Sequence, residues 1–79
     1  MITLTILAPE ETVFDGCVDR LKAPGERGEF TVLPLHAPAI STLVPGFVKY
    51  YTGQEESKIP VKGGFIEVFK DRVTICIER

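Results

Sequence analysis

Apolar and polar residues alternate with a period of two along almost the whole chain, the pattern of half-buried β-strands. Ile2, Leu4 and Ile6 alternate with Thr3 and Thr5, so the first predicted strand has one apolar face. Val13 and Phe14 begin a second extended stretch that reaches Leu21. Gly16 interrupts that stretch and is expected to mark a bulge or bend inside one long strand. Phe30 and Val32, with Leu33 at the end, give a third strand. Phe47 to Thr52 is rich in aromatic and β-branched residues and runs into Gly53-Gln54, a hairpin turn. Lys58 to Lys62 returns from it with Ile59 and Val61 inward. Phe65 to Phe69 follows, then Lys70-Asp71-Arg72 as a tight connection, and Val73, Ile75 and Ile77 close the chain.

Helix has little room. Ala37 to Leu43 could form one turn, but Pro38 and Pro45 confine it to a few residues. Pro and Gly recur at intervals of roughly eight to twelve residues, the spacing of all-β sandwiches and barrels. No repeat, linker or low-complexity segment is visible, and at 79 residues the chain is one domain, spanning 1–79. A chain of this size buries only roughly 60–65% of its unfolded surface, enough for one core and little enclosed volume.

Charge narrows the function classes. The net charge is −2 and no basic cluster occurs. Nucleic-acid binding, which relies on clustered Lys and Arg against phosphate, is therefore not expected. No signal peptide is apparent, and no apolar run approaches the roughly 18 residues that cross a bilayer, so direct membrane insertion is not expected. Cys17 and Cys76 stand far apart in apolar surroundings and read as reduced core or near-core residues, not as a metal-ligand set.

Catalytic chemistry finds no constellation. His36 is the only imidazole, with no recognisable nucleophile elbow or triad around it. Glu10-Glu11 and Glu55-Glu56 read as solvated turn charge. Gly25-Glu26-Arg27-Gly28 and Gly63-Gly64 lack the lysine and strand-loop-helix context of phosphate loops, and read as turn chemistry. Lys70 in a predicted hairpin brings lipoyl and biotinyl carrier domains to mind, which display a modified lysine at such a tip. The Met-Lys-Met and Asp-Lys-Ala patterns of those carriers are both missing, and the hairpin is near the C-terminus. No catalytic, cofactor-binding or metal-binding residues are assigned. A generic β-sandwich interaction module is the other alternative.

The local physics of the middle segment is legible. Pro24-Gly25 fits a tight turn, and Gly28 lets the chain re-enter a strand at Glu29-Phe30. Pro34, Pro38 and Pro45 stiffen a segment not expected to be regular sheet, and so hold His36 in a defined direction. Gly63-Gly64 before an apolar strand indicates a bulge or close backbone approach. A rigid, elaborated loop with one histidine fits a docking surface better than an active site.

The run Ala23-Pro24-Gly25-Glu26-Arg27-Gly28-Glu29-Phe30-Thr31-Val32-Leu33-Pro34-Leu35-His36-Ala37-Pro38 is followed by Pro45-Gly46, Gly63-Gly64-Phe65-Ile66-Glu67-Val68 and Arg72-Val73-Thr74. Together with Pro9-Glu10 and Val13-Phe14-Asp15-Gly16, in this order and spacing, it resembles the epsilon subunit of F-type ATP synthases over essentially the whole chain. The resemblance implies an all-β fold, a flattened β-sandwich of two roughly five-stranded sheets. It implies a non-catalytic rotor part at the foot of the central stalk, between the gamma subunit and the membrane ring of c subunits. There it would help proton-driven rotation reach catalytic sites elsewhere in the complex, as a peripheral component at the cytoplasmic face of the cell membrane. It implies a c-ring contact at Arg27, Gly28 and Glu29, and a gamma-facing surface at Ala8, Pro9 and Glu10 and at the segment His36, Ala37, Pro38 to Ser41. Two residues depart from the family pattern. Leu35 replaces the small residue usual before the histidine, and is strained if that position has positive φ. Ala39 replaces a common leucine. Typical bacterial relatives continue into a C-terminal helical hairpin that restrains ATP hydrolysis. This chain ends at Arg79, so no nucleotide site and no helical brake are expected within these residues.

Overall fold

The computed structural model describes residues Met1–Arg79. Nine strands fill it: β1 (Ile2–Ala8), β2 (Glu11–Val18), β3 (Arg20–Gly25), β4 (Gly28–Val32), β5 (Ala39–Leu43), β6 (Gly46–Thr52), β7 (Glu55–Val61), β8 (Gly63–Phe69) and β9 (Arg72–Glu78). They hydrogen-bond in the order β2-β1-β9-β8-β5-β3-β6-β7, with β4 on β3, and the sheet curls into a sandwich. One layer holds β2, β1, β9, β8 and β5, and the other holds β4, β3, β6 and β7. The layers join through a narrow seam, the single pair Gly25↔Leu43. Glu26 N–H donates to the Thr42 carbonyl and Val44 N–H to that of Pro24 on either side of it. All pairings are antiparallel except β1 with β9, which brings the first and last strands side by side.

Alternation sends one parity of each strand into a common core. Ile2, Leu4 and Ile6 of β1, Val73, Ile75 and Ile77 of β9, and Ile66 and Val68 of β8 meet Leu21, Ala23, Val32, Val48 and Val61 of the other layer. No polar or charged side chain is buried with them. The ring of Phe14 on β2 packs 4.4 Å, centroid to centroid, from that of Tyr50 on β6 and closes one side of the sandwich. Asp19, between β2 and β3, carries the chain from one layer to the other. Its N–H donates to the Tyr51 carbonyl, and its carboxylate accepts from Gly53 N–H at 2.6 Å.

Several sequence expectations change. The stretch from Val13 to Leu21 is two strands, broken at Asp19 by the crossing between layers. The bulge falls at Val13, opposite the step from Ile6 to Leu7, and not at Gly16, which pairs regularly with Leu4. Gly16 makes room instead: a Cβ there would stand 3.0 Å from the Phe14 ring. The helical turn expected within Ala37–Leu43 is absent. Residues 39–43 are β5, because β8 offers an open edge and Ala39 to Leu43 pair along it from Val68 to Gly64. Pro24-Gly25 is strand, and the turn is Glu26-Arg27, closed by Gly25↔Gly28. Pro24 lacks an N–H where β6 has peeled away from β3, since their pairing stops at Lys22↔Lys49. Cys17 is exposed on β2, and Cys76 is half-buried on the outer side of β9, so neither is a core residue. The turn expected at Gly53-Gln54 is present, with Gly53 at φ +61°, the positive angle a two-residue hairpin favours at its first position. Pro60 lies on β7, an edge strand where a missing donor is tolerated.

The close approach expected at Gly63-Gly64 is real. Gly64 has φ +128°, and a Cβ there would lie 2.0 Å from the Cys76 carbonyl oxygen of β9. Gly64→Ala would have to separate two core strands, so it should cost about 3 kcal/mol, whereas Gly53→Ala, in open space, should cost only about 1 kcal/mol. Urea unfolding of both variants checks this ordering. The corner at Tyr51 generates a pH effect. Burial and then the facing Glu56 carboxylate raise the Tyr51 pKa, against the opposing Arg20 guanidinium 4.1 Å over the ring. A raised folded pKa means the fold favours the neutral phenol. Its contribution is complete below about pH 10 and is lost as pH rises through the folded value. Wild type should therefore lose more stability than Tyr51→Phe between about pH 9 and pH 11, measured by denaturant titration.

Candidate functional site

The β3–β4 turn and the segment leading into β5 form one continuous surface. Gly28, at φ +122°, turns the chain back into β4 with nothing near its missing Cβ. Glu29 stands opposite Pro24 and pairs with Lys49 of β6 at 3.8 Å, the glutamate half-exposed and the lysine partly covered. Arg27, Gly28 and Glu29 border an open hollow whose far wall is Ile40, Ser41 and Thr42 of β5, with Phe65 of β8. The hollow exists because β3 touches β5 only at the seam and then diverges from it.

The segment before β5 is built around one turn. His36 N–H donates to the Leu33 carbonyl at 3.2 Å, so Leu33-Pro34-Leu35-His36 is a β-turn. Leu35 has φ +66°, which with proline ahead of it is the type II pattern, normally reserved for glycine at this position. The strain expected for Leu35 is thus present, at about 1–2 kcal/mol for a left-handed residue with a Cβ. Leu35 N–H donates to Asp71 Oδ1 in the β8–β9 turn at 2.8 Å. The His36 ring lies 5.4 Å from that of Phe30, tilted by 51°. Its Nδ1 is 2.6 Å from the Ala37 carbonyl oxygen. A carbonyl can only accept, so Nδ1 carries the proton and Nε2 is the remaining polar atom of the ring.

The sequence reading missed the apolar part of this surface. Ile40 is 70% exposed, Phe69 59% and Phe65 46%. Ile40 pairs with Glu67 and Phe65 with Thr42, so these side chains share the outer side of β5 and β8. The signal was present in parity: Phe65 and Phe69 alternate in step with Glu67, while Ile66 and Val68 take the core.

Arg27, Gly28 and Glu29 are contiguous with His36, Ala37, Pro38 and Ser41, through the Phe30–His36 contact and the Ile40–Thr42 wall. Ala8, Pro9 and Glu10 are elsewhere. They form the β1–β2 turn, beyond the row Leu7–Cys76–Phe65–Thr42, whereas Pro38 precedes the opposite row at Phe69–Arg72. Near them Arg79 bonds Glu11. Lys70 does occupy a hairpin tip, its ammonium 5.6 Å from the Phe69 ring centroid. No group of three or more His, Cys, Asp or Glu residues converges anywhere, and no helix is long and apolar enough to cross a membrane.

Residues 1–79 match the family model described as ATP synthase, delta/epsilon chain, β-sandwich domain. Among curated proteins, the chain is 45% identical over 74 residues to the ATP synthase epsilon chain of Syntrophobacter fumaroxidans, covering 94% of this chain and 55% of that one. It is 39% identical over 77 residues to the epsilon chain of Leptospira borgpetersenii serovar Hardjo-bovis, covering 98% and 61%. The chain thus spans somewhat more than half the length of these relatives. Among solved structures, it matches a chain of the Euglena gracilis mitochondrial ATP synthase, a structure of its OSCP, F1 and c-ring, with a TM-score of 0.93 and 25% identity over 99% of this chain and 51% of that one. A chain of the Tetrahymena thermophila mitochondrial ATP synthase central stalk and c-ring shares the fold, with a TM-score of 0.83 at 19% identity.

Proposed function

The chain belongs to the ATP synthase delta/epsilon β-sandwich family, and from that premise we propose that it is a non-catalytic coupling part of the rotor, docked between the gamma subunit and the c-ring. Its work is mechanical: it helps fix shaft to ring, so that rotation driven by proton flow reaches catalytic sites on other subunits. It holds no nucleotide and no cofactor, and it reaches the membrane only through its partners. All of residues 1–79 serve as one docking domain. The observation that carries this reading is the continuous surface of the β3–β4 turn, the His36 corner and the exposed Ile40, Phe65 and Phe69. An exposed apolar cluster beside a charged rim, on a rigid scaffold, is the anatomy of a protein interface.

Within that surface, the Arg27–Gly28–Glu29 turn meets the polar loops of the c-ring, and His36 to Ser41 face gamma. Ala8, Pro9 and Glu10 lie on the opposite flank of the five-stranded layer, across β9 and β8 from β5. They can belong to the same gamma contact only if gamma runs along that layer. An elongated shaft subunit can span that distance.

Glu29→Lys should weaken assembly or proton coupling. It removes the pair with Lys49 and sets two like charges together, yet the pair is long at 3.8 Å and Glu29 is half in solvent, so stability should fall by only about 1 kcal/mol. Proton pumping by reconstituted membranes and the melting temperature of the chain check the two halves. Unimpaired pumping would remove Glu29 from the c-ring contact. His36→Ala should lower affinity for gamma by about 2 kcal/mol, the scale of a central interface residue, with little change in melting. A large melting shift with unchanged gamma affinity would make His36 structural.

A further inference from the structure

Only two residues other than glycine have positive φ, Leu35 and Lys70 at +66° and +56°. They are far apart in sequence, yet one hydrogen bond joins their turns, from Leu35 N–H to Asp71 Oδ1 at 2.8 Å. Asp71 follows Lys70 in the two-residue turn that closes Phe69 against Arg72. Its own carbonyl accepts from Thr3 N–H at 2.8 Å, which ties that turn to the start of β1. Strained backbone persists where its surroundings over-determine it, and such places gather at functional sites.

The Leu33–His36 turn has two conformations available. Proline at its second position suits type I and type II equally. A leucine at the third position favours type I, where its φ is negative, and the bond from His36 N–H to the Leu33 carbonyl closes either type. The two differ by a flip of the Pro34–Leu35 peptide, which reverses the direction of the Leu35 N–H. Only in type II does that N–H reach Asp71. The Leu35 side chain cannot make the choice, because it is 86% exposed and packs on no core residue.

We propose that Asp71 is a positioning residue: its carboxylate selects the type II turn and thereby fixes how the Leu35–His36 corner is presented to the partner. The presentation part rests on the reading of that corner as the gamma contact. The turn selection does not. Asp71 touches the corner only through the Leu35 amide and acts from a different hairpin, so the orientation of the corner is set by the β8–β9 turn. Glycine at position 35 would adopt type II unaided and would not need Asp71.

The test uses the chain in solution by NMR, together with its affinity for the gamma subunit. Type II brings Pro34 Hα close to the Leu35 amide proton and type I does not. Asp71→Ala should weaken that contact and speed Leu35 amide exchange about tenfold, leaving the amides of β1 and β6 as protected as before. Asp71→Asn keeps an acceptor oxygen and should retain the contact. Leu35→Gly combined with Asp71→Ala should restore it, which a general loss of stability would not do. Apparent affinity for gamma should fall up to about tenfold in Asp71→Ala, with the fraction of type II turn, and recover in the double variant. An undiminished Pro34–Leu35 contact and unchanged Leu35 exchange in Asp71→Ala would overturn the proposal. Loss of the contact with unaltered gamma affinity would uphold turn selection and overturn the reading of the corner as a gamma contact.

Discussion

A chain of 79 residues has apolar volume for one core, and that core must be filled by nine strands at once. Each strand can contribute only every second residue, since successive side chains point to opposite faces. The solution is a sheet that curls until its two ends face each other across the same cluster of Ile, Leu and Val. The rest depends on that closure. The chain must change layers at Asp19 and again between β5 and β6. Where it does so, it is held by main-chain bonds to Asp19, Pro24 and Thr42 instead of continuous ladders.

The same constraint moves function to the surface. Apart from the Tyr51 phenol, no side chain with a polar group is buried, so no preorganised charge lies inside. What remains for recognition is the outer parity of the strands and the turns between them. On β5 and β8 that outer parity is apolar, at Ile40, Phe65 and Phe69, although nothing in the sandwich needs those side chains. Hydrophobic area left in water beside a closed core is what a protein partner covers. The rigid frame beneath also lets two L-residues hold positive φ, a cost that a flexible loop would shed by changing conformation.

Particular residues mark what could be read in advance. The strands of Ile2 to Ile6 and Val73 to Ile77 were clear because their period is uninterrupted and neither contains proline. The turns at Gly53 and after Phe69, the close approach at Gly64, and the strained position at Leu35 were also legible. In each, a residue type reports a backbone angle or a distance directly. β5 was hidden because Pro38 and Pro45 bracket it, and proline statistics describe the local chain, not the edge of β8 waiting beside it. Gly16 and Pro24-Gly25 were misread for a related reason. Each answers to a segment distant in sequence: Tyr50 of β6, against which the Phe14 ring beside Gly16 packs, for the first, and the diverging β6 for the second.

By itself the sequence determined the all-β class, most strand parities, the turn chemistry and the family, because alternation, Gly and Pro angles, and motif order are local properties of a chain. Only the tertiary structure decided which surfaces adjoin. It joined Arg27, Gly28 and Glu29 to the His36–Ser41 segment through Phe30 and Ile40, and it set Ala8, Pro9 and Glu10 on the opposite flank of the layer, across β9 and β8. It also brought Asp71 to Leu35. Adjacency of this kind follows from strand order and register. Those are fixed by the shared core, where all nine strands compete for the same interior, and no single segment carries that information.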